Sequence, residues 1–517
     1  MIHFMPRHAS RWLPVVWCVA IAAFVYAQVR FGNTLPAAVL ASLLVVLAFS
    51  LQPRWIVPVL VAITLVDFVL GSIAGIPNLL LREVLVPLLL MAFLVRHARE
   101  ARDLFLGVAK NPVMRLLCGL ILLLVVNFVR HPVLPANVLG VAAEQSGFRY
   151  YFSSFSGLAA AFLAYWSVLR GEGTIRWIRR MVFAVSGFFL GLGFASWVVG
   201  QPIALPFLPS ASQTWVGVNV TYLYSGVSLR IGYLQMFGPM MAAASLVATP
   251  STLGTRVVRY LGIGLGIGAT FLSGGRASFL GLVLLVVAYE LLLAKDQARF
   301  DIPVLVSVGM LGVFVSLELF PGQLQRMSGM LAGLEGIDPS RALLFRLYLE
   351  GFLQSPIMGQ GIGSSLVKAF SIDPAWGAFV NQQLQAGGHS AYLSILYLYG
   401  VAGGFLWFGL FIGSLFGGAK AARAHVLDRS PVGFISRFGF LSLVSTIPVY
   451  VVGGNGVGDP WFFIVVGCLA AIGHKPYVSA SLARGSAHAS APRGHSSADA
   501  ALEPAVGRLG ARAPSNQ

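Results

Sequence analysis

The sequence predicts an all-α fold, a polytopic transmembrane helix bundle of about 12–14 spans with one large loop containing short helices. Three observations carry this expectation. Hydrophobic residues make up 57% of the 517 residues and charged residues only 10%, which is more apolar surface than one soluble core can cover. The apolar residues fall in runs of about twenty, the length that crosses a bilayer as helix. The charges sit in short islands between the runs, whereas a soluble α/β enzyme would interleave charge with its strands and amphipathic helices.

Taken in order, the runs place spans near 12–29, 35–51, 55–74, 79–95, 113–129, 153–169, 181–198, 232–248, 257–273, 277–294, 302–319, 390–416, 433–452 and 460–473. Pro58 and Pro87 fall inside two of them, which membrane helices tolerate where neighbours satisfy the freed carbonyls. The basic N-terminus with its apolar stretch has the form of a signal peptide, with Ala27 as a cleavage point. An uncleaved first helix is expected, because the rest of the chain is equally apolar. The organisation read from this pattern is a helical region 1–319, a large loop 320–389, a second helical region 390–473 and a disordered tail 474–517. That tail is rich in Ala, Ser, Arg, His, Pro and Gly.

The net charge of +17 does not point to nucleic acid, since no soluble basic face with interleaved aromatics is present. Lys and Arg instead sort by loop. With the N-terminus inside, inner loops carry a cation density about fourfold that of outer loops, so both termini are expected on the cytoplasmic side. The excess cation would meet anionic membrane lipid there. Cys18, Cys118 and Cys468 lie far apart, with no CxxC and no neighbouring histidine, so neither a metal site nor a disulfide framework is implied.

On this topology the outer loops hold the residues that could do chemistry. Arg276, in Ser273-Gly274-Gly275-Arg276-Ala277-Ser278, sits at the outer mouth of two closely joined helices. A helix-end arginine ordinarily snorkels to the interface, but small neighbours on both sides let a substrate approach. Arg341 and Arg346 lie five apart on an expected loop helix, so only one of them faces a cavity. Glu350, at i+4 from Arg346, offers an ordinary ion pair. The following Gly359-Gln360-Gly361-Ile362-Gly363 lacks the strand-turn-helix context of a nucleotide fingerprint and reads as a flexible return toward the membrane. His389, in Gly387-Gly388-His389-Ser390-Ala391-Tyr392, directly precedes a long helix whose dipole favours neutral imidazole, a chemically sensible general base. Arg230 and Arg149 occupy other outer helix starts and either bind polyanions or anchor at headgroups. Asp67 and Glu290 are too scattered to argue for a proton pump.

Together these segments resemble the O-antigen ligase and polymerase superfamily. The Ser273–Ser278 stretch resembles its small-residue-plus-arginine motif. Arg346 with Ser355-Pro356-Ile357-Met358-Gly359 resembles its arginine-bearing loop, and Gly388-His389-Ser390-Ala391-Tyr392-Leu393 resembles its His-Asn-Ser-Tyr-Leu segment. The likeness spans about 225–415 and departs from the family at Ser390 and Ala391.

The resemblance implies a metal-independent, inverting glycosyltransferase without cofactor, in a bacterial inner membrane. Its donor would be an undecaprenyl-diphosphate-linked glycan at the periplasmic face, in surface polysaccharide synthesis alongside other assembly proteins. His389, Arg276 and Arg346 would be the catalytic set, and Arg230, Arg341, Arg149 and Tyr392 would contact substrate. The acceptor stays open among a growing glycan (polymerase, the favoured reading), lipid A core (ligase) and a protein hydroxyl. A different class, a lipid-linked sugar flippase, would instead need cations at mid-bilayer and discontinuous helices.

Overall fold

The computed structural model describes residues 47–48, 51, 53–65, 69–73, 76–98, 101–130, 148–169, 172–199, 218–223, 226–248, 253–273, 275–293, 339–362, 390–452 and 459–473. The expected spans 12–29 and 302–319, the tail and most of the large loop, His389 included, lie outside them. The helices are α1 (Pro53–Leu65), α2 (Leu81–Arg96), α3 (Ala101–Lys110), α4 (Pro112–Arg130), α5 (Phe148–Leu169), α6 (Glu172–Val199), α7 (Gly232–Val247), α8 (Leu253–Leu272), α9 (Arg276–Leu292), α10 (Pro339–Gln354), α11 (Ala391–Ala424), α12 (Pro431–Val452) and α13 (Pro460–Gly473). Five of these segments, within α4, α5, α6, α11 and α12, are long and apolar enough to cross a membrane. The protein is a membrane-embedded helical bundle.

Two antiparallel hairpins were not anticipated: β1 (Val69–Ile73) with β2 (Ile76–Leu80), and β3 (Val218–Leu223) with β4 (Gly226–Ile231). The first replaces the second half of the expected 55–74 span. Helix α1 ends at Leu65, and Gly71, Gly75 and Pro77 punctuate the apolar residues that follow. Hydropathy averaged over a window reports apolarity and not conformation, so a strand pair passes for helix. Pro77 is tolerated because a two-stranded ribbon is all edge. Strand β2 runs straight into α2, whose Glu83 carboxylate accepts the Leu80 amide at 2.9 Å.

Small residues set the helix contacts. A β-carbon on Gly467 of α13 would collide with the Ala161 carbonyl of α5, and one on Gly281 of α9 with the Ser445 carbonyl of α12. Close backbone approach of this kind is how helices gain packing energy without a hydrophobic drive between them. Helices α4 and α11 run antiparallel in a regular register: Val113 meets Gly413, Leu116 meets Gly409, Gly119 meets Leu406 and Leu123 meets Gly403. Aromatic rings fill the remaining space. Trp407 of α11 stacks on Phe411 and touches Tyr450 of α12 and Phe462 of α13.

One end of the bundle gathers helix C-termini and arginines that cap them. Arg259 donates to the Ser245 and Leu246 carbonyls at the end of α7 (3.2 and 3.1 Å) and to the Tyr289 hydroxyl (3.2 Å). Arg437, 6% exposed, donates to the carbonyls of Gly433, Val426 and Asp428, each at 2.9 Å. In the α11–α12 turn, the Asp428 carboxylate accepts the Ser430 amide (2.7 Å) and hydroxyl (2.6 Å) and lies 3.1 Å from His425 Nδ1. Burial pushes the Asp428 carboxyl up, but the Ser430 donors and His425 outweigh it and hold the group below its ordinary value. A depressed carboxyl contributes stability that is complete above its unfolded value, about 3.9, and is lost as pH falls through the lower folded value. Thermal unfolding in detergent should therefore show a stability loss in that acid range which Asp428→Asn lacks. Superimposable pH profiles for the two proteins would mean that the turn does not depend on this charge.

Candidate functional site at the N-terminal ends of α9 and α11

At the opposite end of the bundle, helices α2, α5, α7, α9, α11 and α13 begin. The α8–α9 turn is stitched by Ser273, whose hydroxyl donates to the Thr270 carbonyl (2.6 Å) and accepts the Gly275 amide (3.1 Å). Gly275 gives the α9 terminus no side-chain cap and packs on Gln235, in the first turn of α7. Arg276 is thus the first residue of α9, set against the β4–α7 junction. Arg230 stands there on β4, paired with Asn219.

Helix α12 lies between α9 and α11. Gly281 crosses it at Ser445, and Tyr392, in the first turn of α11, donates from its hydroxyl to the Ile447 carbonyl at 3.2 Å. Arg276 lies five residues, about 7.5 Å, beyond the Gly281 crossing, so the first residues of α9 and α11 flank the same end of α12. Ser390 caps α11 by accepting the Leu393 amide. The ring of Tyr392 packs among Trp407, Phe408 and Tyr450, which makes it an anchor for this helix start.

Asp459, which the sequence reading passed over, belongs to the same end. Its carboxylate accepts the Tyr450 hydroxyl at 2.6 Å and the amides of Trp461 and Phe462 at 3.0 and 3.3 Å. The signal was legible as Asp-Pro before an apolar run, an N-cap followed by proline at the first helical position.

Helix α10 packs on α11 through Leu344 and Tyr348, both buried. Tyr348 and Tyr397 rings lie 5.5 Å apart, and burial with the neighbouring Tyr397 pushes the Tyr348 hydroxyl up. Arg341 occupies the helical stripe of Leu344 and Tyr348, by its spacing of three and seven. Arg346 stands on the other side. Its side chain is 77% exposed and paired with Glu350 at 2.6 Å, a hydrogen-bonded carboxylate that pushes the guanidinium up. Arg341, and not Arg346, thus shares the stripe of α10 that meets α11.

The glycine turn after α10 is not a loose return. Helix α11 is broken at Gly400 (φ 63°, ψ −162°), and residues 356–361 complete its ladder. The amides of Gln360 and Gly361 donate to the Tyr397 and Leu398 carbonyls (2.8 and 2.9 Å). In return, the amides of Val401 and Ala402 donate to the Pro356 and Ile357 carbonyls (2.7 and 3.1 Å). Gly359 (φ 72°) and Gly400 are pressed backbone to backbone, with no room for a β-carbon on either. The amides of Gln360 and Gly361 are spent on α11, so they form no phosphate cradle.

Arg149, Arg276 and Arg341 are the second, first and third residues of α5, α9 and α10, and none of these helices has an acidic residue in its first turn. An arginine opposes the positive end of a helix dipole, whereas an anion is welcomed there. The α9 start, with Gly275 offering no side-chain cap, therefore leaves first-turn amides open to an anion. Among the described residues no group of three or more His, Cys, Asp or Glu could hold a metal. No protein-family model and no curated protein matches the chain.

If the clasp fixes this end, Gly400→Ala should lower stability by about 1–3 kcal/mol, the cost of forcing a side chain into that backbone region. The readout is the unfolding midpoint of the detergent-purified protein, with Gly417→Ala, at an open helical site, as control. An unchanged midpoint for Gly400→Ala would mean that α11 is continuous.

Proposed function

We propose that the chain is an integral-membrane glycosyltransferase of the O-antigen ligase and polymerase type, acting at the periplasmic face of a bacterial inner membrane. It transfers or polymerises undecaprenyl-diphosphate-linked glycan units. The observation that carries this reading is that α9 and α11 begin at the same end of α12, with Arg276 the first residue of an α9 that Gly275 leaves without a side-chain cap. A leaving lipid diphosphate gains negative charge as the glycosidic bond breaks. Guanidinium groups meet that charge with forked hydrogen bonds and no change of protonation. In this reading the bundle has about 12–14 spans, with both termini cytoplasmic and 320–389 as the periplasmic loop.

Arg276 takes the diphosphate, and Arg341, on the α11-facing stripe of α10, is the second phosphate contact. Arg346, paired with Glu350, serves at the rim. His389, one residue ahead of the Ser390 cap, draws the proton from the acceptor hydroxyl, a poor nucleophile without a base. A growing glycan is the favoured acceptor, and lipid A core or a protein hydroxyl would use the same donor chemistry.

The break in α11 favours a second reading, a flippase for lipid-linked sugar, because discontinuous helices line transport sites. It falls behind because the four groups exposed by the break are already paired with residues 356–361. A cargo would have to displace them.

The test is surface polysaccharide from cells carrying single variants, resolved by size. His389→Ala should cut product by about 10²–10⁴-fold, the worth of a general base. Arg276→Ala and Arg341→Ala should cost about 10²–10³-fold, as for loss of a charge-stabilising donor, while Arg346→Ala stays near normal. Normal product from His389→Ala or Arg276→Ala protein that still inserts would end the proposal. In a deletion strain, short chains identify a polymerase and accumulated lipid-linked polymer identifies a ligase.

A further inference from the structure

The break in α11 faces a polar side chain with no use for its polarity in the bundle. Each step outward along α4 meets a step back along α11, from Val113–Gly413 to Leu123–Gly403. Continued by one turn, that register brings Asn127 to the level of Tyr399, immediately before Gly400. Asn127 is 0% exposed, and neither its Nδ2 nor its Oδ1 has a hydrogen-bond partner. Phe128 beside it packs edge-on to Tyr151 of α5 at 5.3 Å. The Tyr151 hydroxyl is likewise buried without a closed hydrogen bond, although the Ile362 amide of the clasp approaches it. Tyr151 in turn neighbours the Tyr399 hydroxyl, which Ser154 also approaches.

We propose that Asn127 and Tyr151 form an internal water site at the break of α11, beneath the clasp. The chemistry selects the ligand. An amide with a free donor and a free acceptor, beside a phenol that can do either, matches water, which needs two to four polar partners in a buried site. The lining is neutral: an amide, phenols, a serine hydroxyl and a main-chain amide. A cation would lie in an apolar bundle with no countercharge, which is costly. Full burial of Asn127 shuts out a sugar hydroxyl, which would bring its ring with it. Water at a helix break is also a recognised cause of kinking, so the site joins the local geometry of α11 to the sequence of α4.

Radiolysis of bound water by X-ray pulses generates hydroxyl radicals in place and oxidises adjacent side chains. In the full-length protein in detergent, Tyr151, 3% exposed, should be labelled, whereas Phe237, 0% exposed, should not. Asn127→Leu should abolish the labelling at Tyr151. Tyr151→Phe, which removes a single oxygen, should lower the labelling of the half-buried Phe128 below its wild-type level, which keeps the test open if the leucine variant folds poorly. Wild-type Tyr151 as silent as Phe237, or labelling that persists in both variants, overturns the site. So does a sodium-specific rise in the unfolding midpoint that Asn127→Leu removes, since the ligand would then be a cation.

Discussion

The arrangement of this bundle depends on an exchange of main-chain hydrogen bonds. A helix that crosses lipid satisfies its backbone internally, and each group left open costs several kcal/mol. Helix α11 gives up two ladder bonds at Gly400 and recovers four from residues 356–361. The cost of the break is thereby offset by a segment forty residues upstream. Because the compensation is backbone to backbone, its geometry leaves little freedom. Helix α10 must then lie against the first turns of α11, with Tyr348 on Tyr397 and Gly351 under the same ring.

That constraint explains why α11 can be so long. Its 34 residues would measure about 51 Å as an unbroken rod, well over the thickness of a hydrocarbon core. The part after the break is long enough to span alone. The nine residues before it are set at an angle and anchored by Ser390, Tyr392 and the clasp. A helix start is thus presented at the bundle end by a short rigid piece and not by a loop, which suits a group that must hold its position in chemistry.

The sequence revealed the helices where run length and conformation coincide. The expected spans at 113–129, 153–169, 433–452 and 460–473 lie inside or on α4, α5, α12 and α13, because twenty apolar residues in lipid have few other solutions. It failed at 55–74, where apolar strands mimic apolar helix. It also left the glycine turn as a loose return, because pairing between 356–361 and 397–402 has no side-chain signature beyond glycines at distant positions. Of the site, the helix-start positions of Arg149 and Arg276 were legible locally. Which of Arg341 and Arg346 shares the stripe of Leu344 and Tyr348 was not, since that depends on the face of α10 that meets α11. Asp459 was not legible as a site neighbour, because its link to Tyr450 joins two helices that the sequence does not place side by side.

The two ends of the bundle treat arginine in opposite ways. Where α7 and α11 finish, Arg259 donates to the Ser245 and Leu246 carbonyls and Arg437 to those of Val426 and Asp428 just past α11, positions the negative end of a helix dipole favours for a cation. Where helices begin, only N–H groups are on offer. A guanidinium in a first turn there can donate to none of them and is disfavoured by about 0.3–1 kcal/mol for each dipole it opposes. A chain selected only for stability would place carboxylates in those turns, as α2 does with Glu83 and α13 with its Asp459 cap. Helix α9 does the reverse, opening on Gly275 and Arg276, and a bound anion would turn the repulsion between its dipole and its arginine into attraction for a third body. The diphosphate reading therefore rests on helix starts at α5 and α9 that carry arginine and no acidic residue in the first turn.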